Sequence, residues 1–186
     1  MTLSVNDISQ LFNRAGGELY GGEAITQREH ALQAGWLAEQ SGADEQLIIA
    51  CLLHDLGHML FGQGDDDLAQ GRDDLHQVKI IPFLRGLLPP EIIEPIALHV
   101  DAKRYLCHVE PAYFAALSDA SRTSLALQGG AMDAAAAQQF AARPHAACAI
   151  ALRRCDDAAK VVGMTVPPYE YFLPRLLAIA ETAGAQ

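Results

Sequence analysis

Residues 47–60 read "LIIACLLHDLGHML", so the most apolar segment of the chain runs straight into two histidines and an aspartate. Burying imidazole and carboxylate groups is costly unless they are hydrogen-bonded, paired or bound to a metal. On one continuous helix, His54 and His58 stand four apart on one face, with Asp55 about a quarter-turn round from His54. An isolated His-Asp pair of this kind would be a polar patch at the end of a buried helix. Whether it is more depends on what the flanking segments bring to it.

Immediately upstream, "TQREHALQAGWLAEQSG" opens on Thr26 with Glu29 three residues later, a capping-box pattern, and ends at Gly42. It places His30 in the first turn of a helix. Downstream, "FGQGDDDLAQGRDD" reads as a Gly- and Asp-rich loop. "HQVKIIPFLRGLL" and "PPEIIEPIALHV" then read as two helices, one opened by His76 and the other ended by His99. Pro90 suits a first turn, whereas Pro82 and Pro95 should kink or shorten their helices. After a turn-like "CHVEP", the segments "MDAAAAQQFAAR" and "PHAACAIALRRCDDAAKVV" have high helix propensity. "VPPYE" precedes a last helix from about Tyr169 to Thr182. No alternating run marks a strand, and no repeat or linker divides the chain. The reading is a single all-α domain over residues 1–186.

The totals agree with that reading. A chain of 186 residues with 51% hydrophobic and 19% charged content can bury one sizeable core. A net charge of −10 argues against sequence-independent nucleic-acid binding, which needs clustered Lys and Arg. It leaves room for an anionic small molecule in a local cationic pocket. The start has no signal-peptide pattern, and "IIACLL" is far too short to span a bilayer. The expectation is therefore a cytoplasmic protein with no membrane partner, a monomer or a homodimer. Cys51, Cys107, Cys148 and Cys155 form no C-x-x-C pair, which disfavours both a disulfide scaffold and a thiolate zinc site.

Histidines near the ends of successive helices, with Asp156 and Asp157 on a late and otherwise apolar one, can converge on one point in a bundle. Singly, each would be a capping or surface group. In the order H…HD…H…H…D, with "HDLG" as the core, they resemble the HD-domain superfamily of metal-dependent phosphohydrolases, and His76 and His99 resemble its two-metal members. The resemblance implies a single HD-domain helical bundle in which Asp55 bridges two metals. His30, His54 and Asp156 would hold the first and His76 and His99 the second. Asp156 is preferred to Asp157 because Lys160 stands four residues after it, as in related diiron oxygenases. Imidazole with carboxylate suits iron, manganese or zinc.

A narrower resemblance covers nearly the whole chain. "YGGE", "EH", "LLHDLGH", "HVDAKRYL", "SLALQGG" and "LRRCDDAAKVVG" occur in the order found in mixed-valent diiron oxygenases of organophosphonate catabolism. Those enzymes cleave the carbon–phosphorus bond of 1-hydroxyphosphonates. The resemblance implies two irons, Fe(II) and Fe(III), with dioxygen as co-substrate. The substrate would be a 2-amino- or 2-(trimethylammonio)-1-hydroxyethylphosphonate, giving phosphate and glycine or a glycine betaine-type product. It also implies a phosphonate seat from His58, Lys103, Ser121 and Arg153, with Gln128 of "QGG" nearby. Tyr20 would cover the second iron until substrate arrives, and Glu23 would meet the cationic end, primary or quaternary. Asp55, His58 and Lys103 would carry the catalysis. Without the resemblance, Lys103 would be a solvated surface lysine and "YGGE" a plain turn.

The remaining polar residues carry no such pattern. His108 and His145 read as surface or cap residues, and Trp36 as core. Asp65, Asp66 and Asp67 lack EF-hand spacing and read as a solvated charge run. Asp133, Pro82 and Pro95 depart from the family pattern. A metal-dependent phosphohydrolase of a phosphomonoester or nucleotide would use the same ligands. A metal-bound regulatory domain would not need the open metal position.

Overall fold

The computed structural model describes residues 2–62 and 71–184; Asp65, Asp66 and Asp67 lie outside the described residues. The chain is all-helical. Four helices make its centre: α2 (Gln27–Gln40), α3 (Glu45–Leu53), α7 (Pro90–Val109) and α11 (Ala146–Ala158). Among them, α7 packs most extensively on α11, α2 lies against both α3 and α11, and α3 lies against α7. Helix α3 is central because Ile48 to Leu53 are all buried, leaving it no polar face. Helices α1 (Val5–Arg14) and α12 (Tyr169–Gly184) close one side, with Phe12 stacked on Tyr169. Short helices α4 (Leu56–Phe61), α5 (His76–Lys79) and α6 (Ile81–Leu84) line another edge. Helices α8 (Pro111–Ala116), α9 (Asp119–Leu127) and α10 (Ala134–Ala141) cover the far end of α7.

The core is continuous through Ile49, Leu52, Leu53, Ile92, Ile96, Leu152 and Phe172, and a smaller cluster joins Leu98, Met132 and Phe140 under α10. Each fully buried side chain of this size contributes about 1.5–3 kcal/mol. That burial holds the polar centre described below in register. No helix among the described residues is long and apolar enough to cross a membrane.

Local signals act as their chemistry dictates. Thr26 accepts from the Glu29 backbone while Glu29 Oε2 accepts from Thr26 N at 2.7 Å, closing the capping box that starts α2. Pro90 opens α7, and Asp133 caps α10 by accepting from Ala136 N, which accounts for its place after "QGG". His145 takes the cap position of α11, His108 is exposed, and Trp36 packs partly buried against the core.

Pro82 breaks its helix as expected: the "HQVKIIPFLRGLL" segment is two short helices meeting at Ile80, because Pro82 fits only a first turn. Three other sequence expectations need correction. His54 and Asp55 do not continue one helix: Asp55 sits at φ −102°, ψ 14° and separates α3 from α4. Pro95 does not shorten α7, which runs through "DAKRYLCHV" to Val109, so His99 lies mid-helix and the turn begins at Glu110. The last helix continues past Thr182 to Gly184.

Candidate metal centre

Each of the four central helices contributes one inward polar side chain at the same level. His30 comes from α2, His54 from the end of α3, His99 from α7 and Asp156 from α11. His76, at the start of α5, completes the set, and all five are buried along with Asp55. The break after α3 lets Asp55 turn its carboxylate between the histidines. Gly57 lets α5 come close, because a Cβ there would stand 2.6 Å from the His76 carbonyl oxygen.

The ring tautomers follow from their partners. His30 Nδ1 donates to the carbonyl of Ala159, His54 Nδ1 to that of Cys51 and His99 Nδ1 to that of Ile96, each at 2.8 Å. A carbonyl can only accept, so these three nitrogens carry the protons. His76 Nδ1 lies 2.7 Å from Asp74 Oδ1 and donates there. All four Nε2 atoms therefore turn lone pairs inward. His30 Nε2 is 3.2 Å from His54 Nε2, and His76 Nε2 is 3.2 Å from His99 Nε2.

Asp55 stands between the two pairs. Its Oδ2 lies 3.2 Å from His54 Nε2 and 3.5 Å from His30 Nε2, while its Oδ1 lies 3.1 Å from His76 Nε2 and 3.6 Å from His99 Nε2. Asp156 faces only the first pair, at 3.5 Å from His30 and 3.7 Å from His54. Asp55 Oδ1 and Asp156 Oδ1 are buried without a hydrogen-bond donor. Lone pairs set against lone pairs and against orphaned carboxylate oxygens repel unless a cation sits among them. The donors thus fit two metal ions, one in the His30–His54–Asp156 nest and one in the Asp55–His76–His99 nest. Protons compete for the same atoms. Against the opposing effect of burial, Asp55 raises the His54 pKa, and hydrogen bonds to Asp55 and Asp74 push that of His76 up to about 9. Burial pulls His99 well down.

A pocket open to solvent lies against the second nest. Of the remaining residues singled out in the sequence, Tyr20, Glu23, His58, Lys103, Ser121, Gln128 and Arg153 all line it; His30 and His54 stand behind its floor. Tyr20 stacks on the His30 ring with centroids 3.8 Å apart. Burial and the charges of Asp156 and Asp55 keep its phenol protonated. Lys103 is only 2% exposed and donates to Ser124 Oγ at 2.9 Å. Burial, helped by the charge of Arg153, brings its pKa down to about 7.

Arg153 is engaged with its own helix. Its Nη1 contacts Asp156 Oδ2 at 2.7 Å, its Nη2 meets Asp157, and its Nε lies 3.2 Å from the Tyr113 hydroxyl. Asp157 accordingly points to Arg153 and Tyr113, while Asp156 points to the histidines. Glu23 Oε1 accepts from Ser118 Oγ at 2.7 Å and is 3.9 Å from Lys160 Nζ. Three participants were not recognised from the sequence. In the sequence Lys160 marks only a spacing from Asp156, yet it donates to Ser121 Oγ at 2.8 Å and lines the pocket with Ser124. Asp74 belongs to the Gly- and Asp-rich loop of the sequence, and only the fold brings it against His58 and His76.

A helical bundle that gathers four imidazole lone pairs and a second carboxylate around a shared aspartate has the architecture of a metal-carrying protein with two adjacent positions. The chain belongs to the HD domain family, whose sequence profile matches residues 28–140. It is 41% identical over 170 residues to the [1-hydroxy-2-(trimethylamino)ethyl]phosphonate dioxygenase (glycine-betaine-forming) of Leisingera caerulea, covering 91% of this chain and 87% of that one. It is 43% identical over 171 residues to the hydroxymethylphosphonate dioxygenase of Gimesia maris, covering 90% and 84%.

Proposed function

We propose that the protein is a dioxygen-using oxidoreductase that cleaves the carbon–phosphorus bond of a small 1-hydroxyphosphonate, with two iron ions in the paired nests. The observation that supports this most is the joining of those nests to a pocket lined by Lys103, Lys160 and Ser121. The names of both relatives point to the same substrate class. The substrates proposed are the 2-amino- and 2-(trimethylammonio)-1-hydroxyethylphosphonates, which would give phosphate with glycine or glycine betaine. Bound iron would supply the one-electron chemistry by which dioxygen is reduced and a carbon–hydrogen bond oxidised.

The chain's own residues prepare that chemistry. Asp55 offers one carboxylate oxygen to each nest, so the two positions stay adjacent and share charge. Lys103 and Lys160 place ammonium groups beside Ser124 and Ser121, one helical turn apart on α9, where charge-assisted hydrogen bonds can seat a phosphonate. His58 borders the same space beside His76. Arg153 acts through Asp156, holding that carboxylate toward the first nest. Glu23, which lines the pocket 3.9 Å from Lys160 Nζ, is placed for the substrate's amine. Tyr20, stacked on His30 with its phenol against Asp55 between the nests, is placed to cover the second metal position until substrate arrives.

The test is anaerobic incubation of iron-loaded protein with 2-amino-1-hydroxyethylphosphonate, its trimethylammonio analogue or hydroxymethylphosphonate, followed by admission of air. Phosphate release with uptake of one dioxygen per turnover, only after air, supports the proposal. Equal release without oxygen, or full activity with zinc, would instead assign a phosphohydrolase, because zinc cannot change oxidation state.

A further inference from the structure

Asp74 occupies a corner built to bring two histidines under one carboxylate. Leu75, between Asp74 and His76, lies in the left-handed region at φ 54°, where a non-glycine residue is strained. That corner folds Asp74 back so that its Oδ1 accepts from both His76 Nδ1 at 2.7 Å and His76 N at 3.2 Å. Its Oδ2 lies 2.9 Å from His58 Nδ1, bent away from the line of a straight hydrogen bond. The two rings are tilted 30° to one another, with centroids 4.0 Å apart. With Nδ1 held by Asp74, His76 can aim only Nε2 at Asp55 and His99, and His58 aims Nε2 toward the pocket floor, 3.9 Å from Asp55 Oδ1.

We propose that Asp74 is a positioning residue that sets the ring orientation of His76 at the second metal position and of His58 at the substrate seat, so that the two are held by a single carboxylate. It rests on the two-metal reading above. Carboxylates behind metal-binding imidazoles fix the tautomer and the ring plane, and their loss weakens metal binding by about 10–100-fold. Here the same carboxylate also reaches a residue beside the pocket, so one substitution acts on metal and substrate through different rings.

The experiment compares the wild-type chain with Asp74→Ala, Asp74→Asn, His58→Ala and the Asp74→Ala/His58→Ala pair. Metal content and affinity are measured alongside the Nδ1–H proton resonances of His58 and His76 in metal-free protein. Asp74→Ala is expected to keep the first metal and bind the second about 10–100-fold more weakly. Asp74→Asn, whose Oδ1 can still accept from His76, should recover much of that binding but lose the His58 resonance. With the substrate of the proposed reaction, the paired variant should raise KM no further than His58→Ala alone. Wild-type metal affinity and unchanged resonances in Asp74→Ala would overturn the proposal. So would a third metal bound by wild type and lost in Asp74→Asn, which would make His58, Asp74 and His76 a ligand set. Metal content and resonances do not depend on the substrate, so a wild-type protein inactive on every phosphonate would remove the functional reading and leave Asp74's role standing.

Discussion

Gly57→Ala separates the stability of the helix from the geometry of the second nest. Gly57 lies inside α4 and has no positive φ, so alanine should favour that helix by about 1 kcal/mol. The added Cβ, however, would stand 2.6 Å from His76 O, 3.0 Å from His76 Cβ and 3.1 Å from His76 C. The first of these falls 0.8 Å short of the 3.4 Å at which ordinary contact begins, and the neighbour is backbone that cannot rotate away. Overpacking of this kind costs about 1–3 kcal/mol. Set against the propensity gain, the net loss should be about 0–2 kcal/mol, a few degrees of Tm for a chain of this size. The metal tolerates far less displacement, because ligand distances hold to about 0.2 Å. A shift of several tenths of an ångström in His76 should therefore weaken the second position at least tenfold and spare His30, His54 and Asp156. The assay is metal content per chain after dialysis against graded chelator, with thermal unfolding run on the metal-free protein. A Gly57→Ala chain that keeps both metals at wild-type affinity would show that the close approach of α4 and α5 is incidental.

Asp55→Ala should lower metal content at both positions, whereas His99→Ala should affect mainly the second; two metals fully retained in Asp55→Ala would remove its bridging role. Lys103→Met should raise KM for a phosphonate while preserving metal content, and an unchanged KM would leave Lys160 as the sole ammonium of the seat. The same lysine predicts a pH dependence of stability. Folded Lys103 releases its proton near pH 7, chiefly because of burial, and the unfolded chain releases it near 10.5. Between those values the unfolded state binds more protons, so stability rises with pH; below 7 both states are charged and the burial cost is fully present. Melting curves from pH 6.5 to 9.5 should show that rise in wild type and lose it in Lys103→Met. Glu23→Ala should weaken binding of an amino-substituted phosphonate by about 1–3 kcal/mol and leave hydroxymethylphosphonate unaffected; equal kinetics on both compounds would make "YGGE" a turn only.

The sequence revealed the parts of the site whose chemistry conflicts with their surroundings. His54 and Asp55 follow seven apolar residues, Leu47 to Leu53, and Asp156 sits on an otherwise apolar helix, so a polar purpose could be read for each. Thr26 with Glu29 and Pro90 were equally legible, since capping and first-turn signals are local. What could not be read was set by tertiary contact. The break at Asp55 has no Gly or Pro to announce it, and the continuation of α7 past Pro95 depends on packing against α11. The resemblance puts Arg153 in the phosphonate seat; it does line the pocket, but its neighbours one turn on, Asp156 and Asp157, take its charge. Asp74 sits in a run of acidic loop residues, and only the close approach of α4 to α5 makes it a partner for two rings.

The paired nests alone do not separate oxidation from hydrolysis, because either chemistry can use imidazole and carboxylate donors. The walls around them bear on the difference. A hydrolase of a nucleotide must accommodate a base and sugar beyond the phosphate. Here Lys103 and Lys160 share the pocket lining with Glu23, Ser121 and Gln128 and with Arg72 and Asp73. Tyr20 is the only aromatic residue lining the pocket among those described, and its ring is already stacked on His30. That leaves little aromatic surface on which a base could stack. It also bears on the substrate's amine, since a quaternary ammonium gains most from aromatic faces, whereas a primary ammonium can donate to Glu23 directly. Glu23 already has Lys160 at 3.9 Å, so an incoming ammonium must share the carboxylate with a resident cation. On this geometry the small, hydrogen-bonding end of the substrate range fits best. A preference for the primary amine or hydroxymethyl compound over the trimethylammonio one, measured as a ratio of kcat/KM, would follow from the walls rather than from the metals.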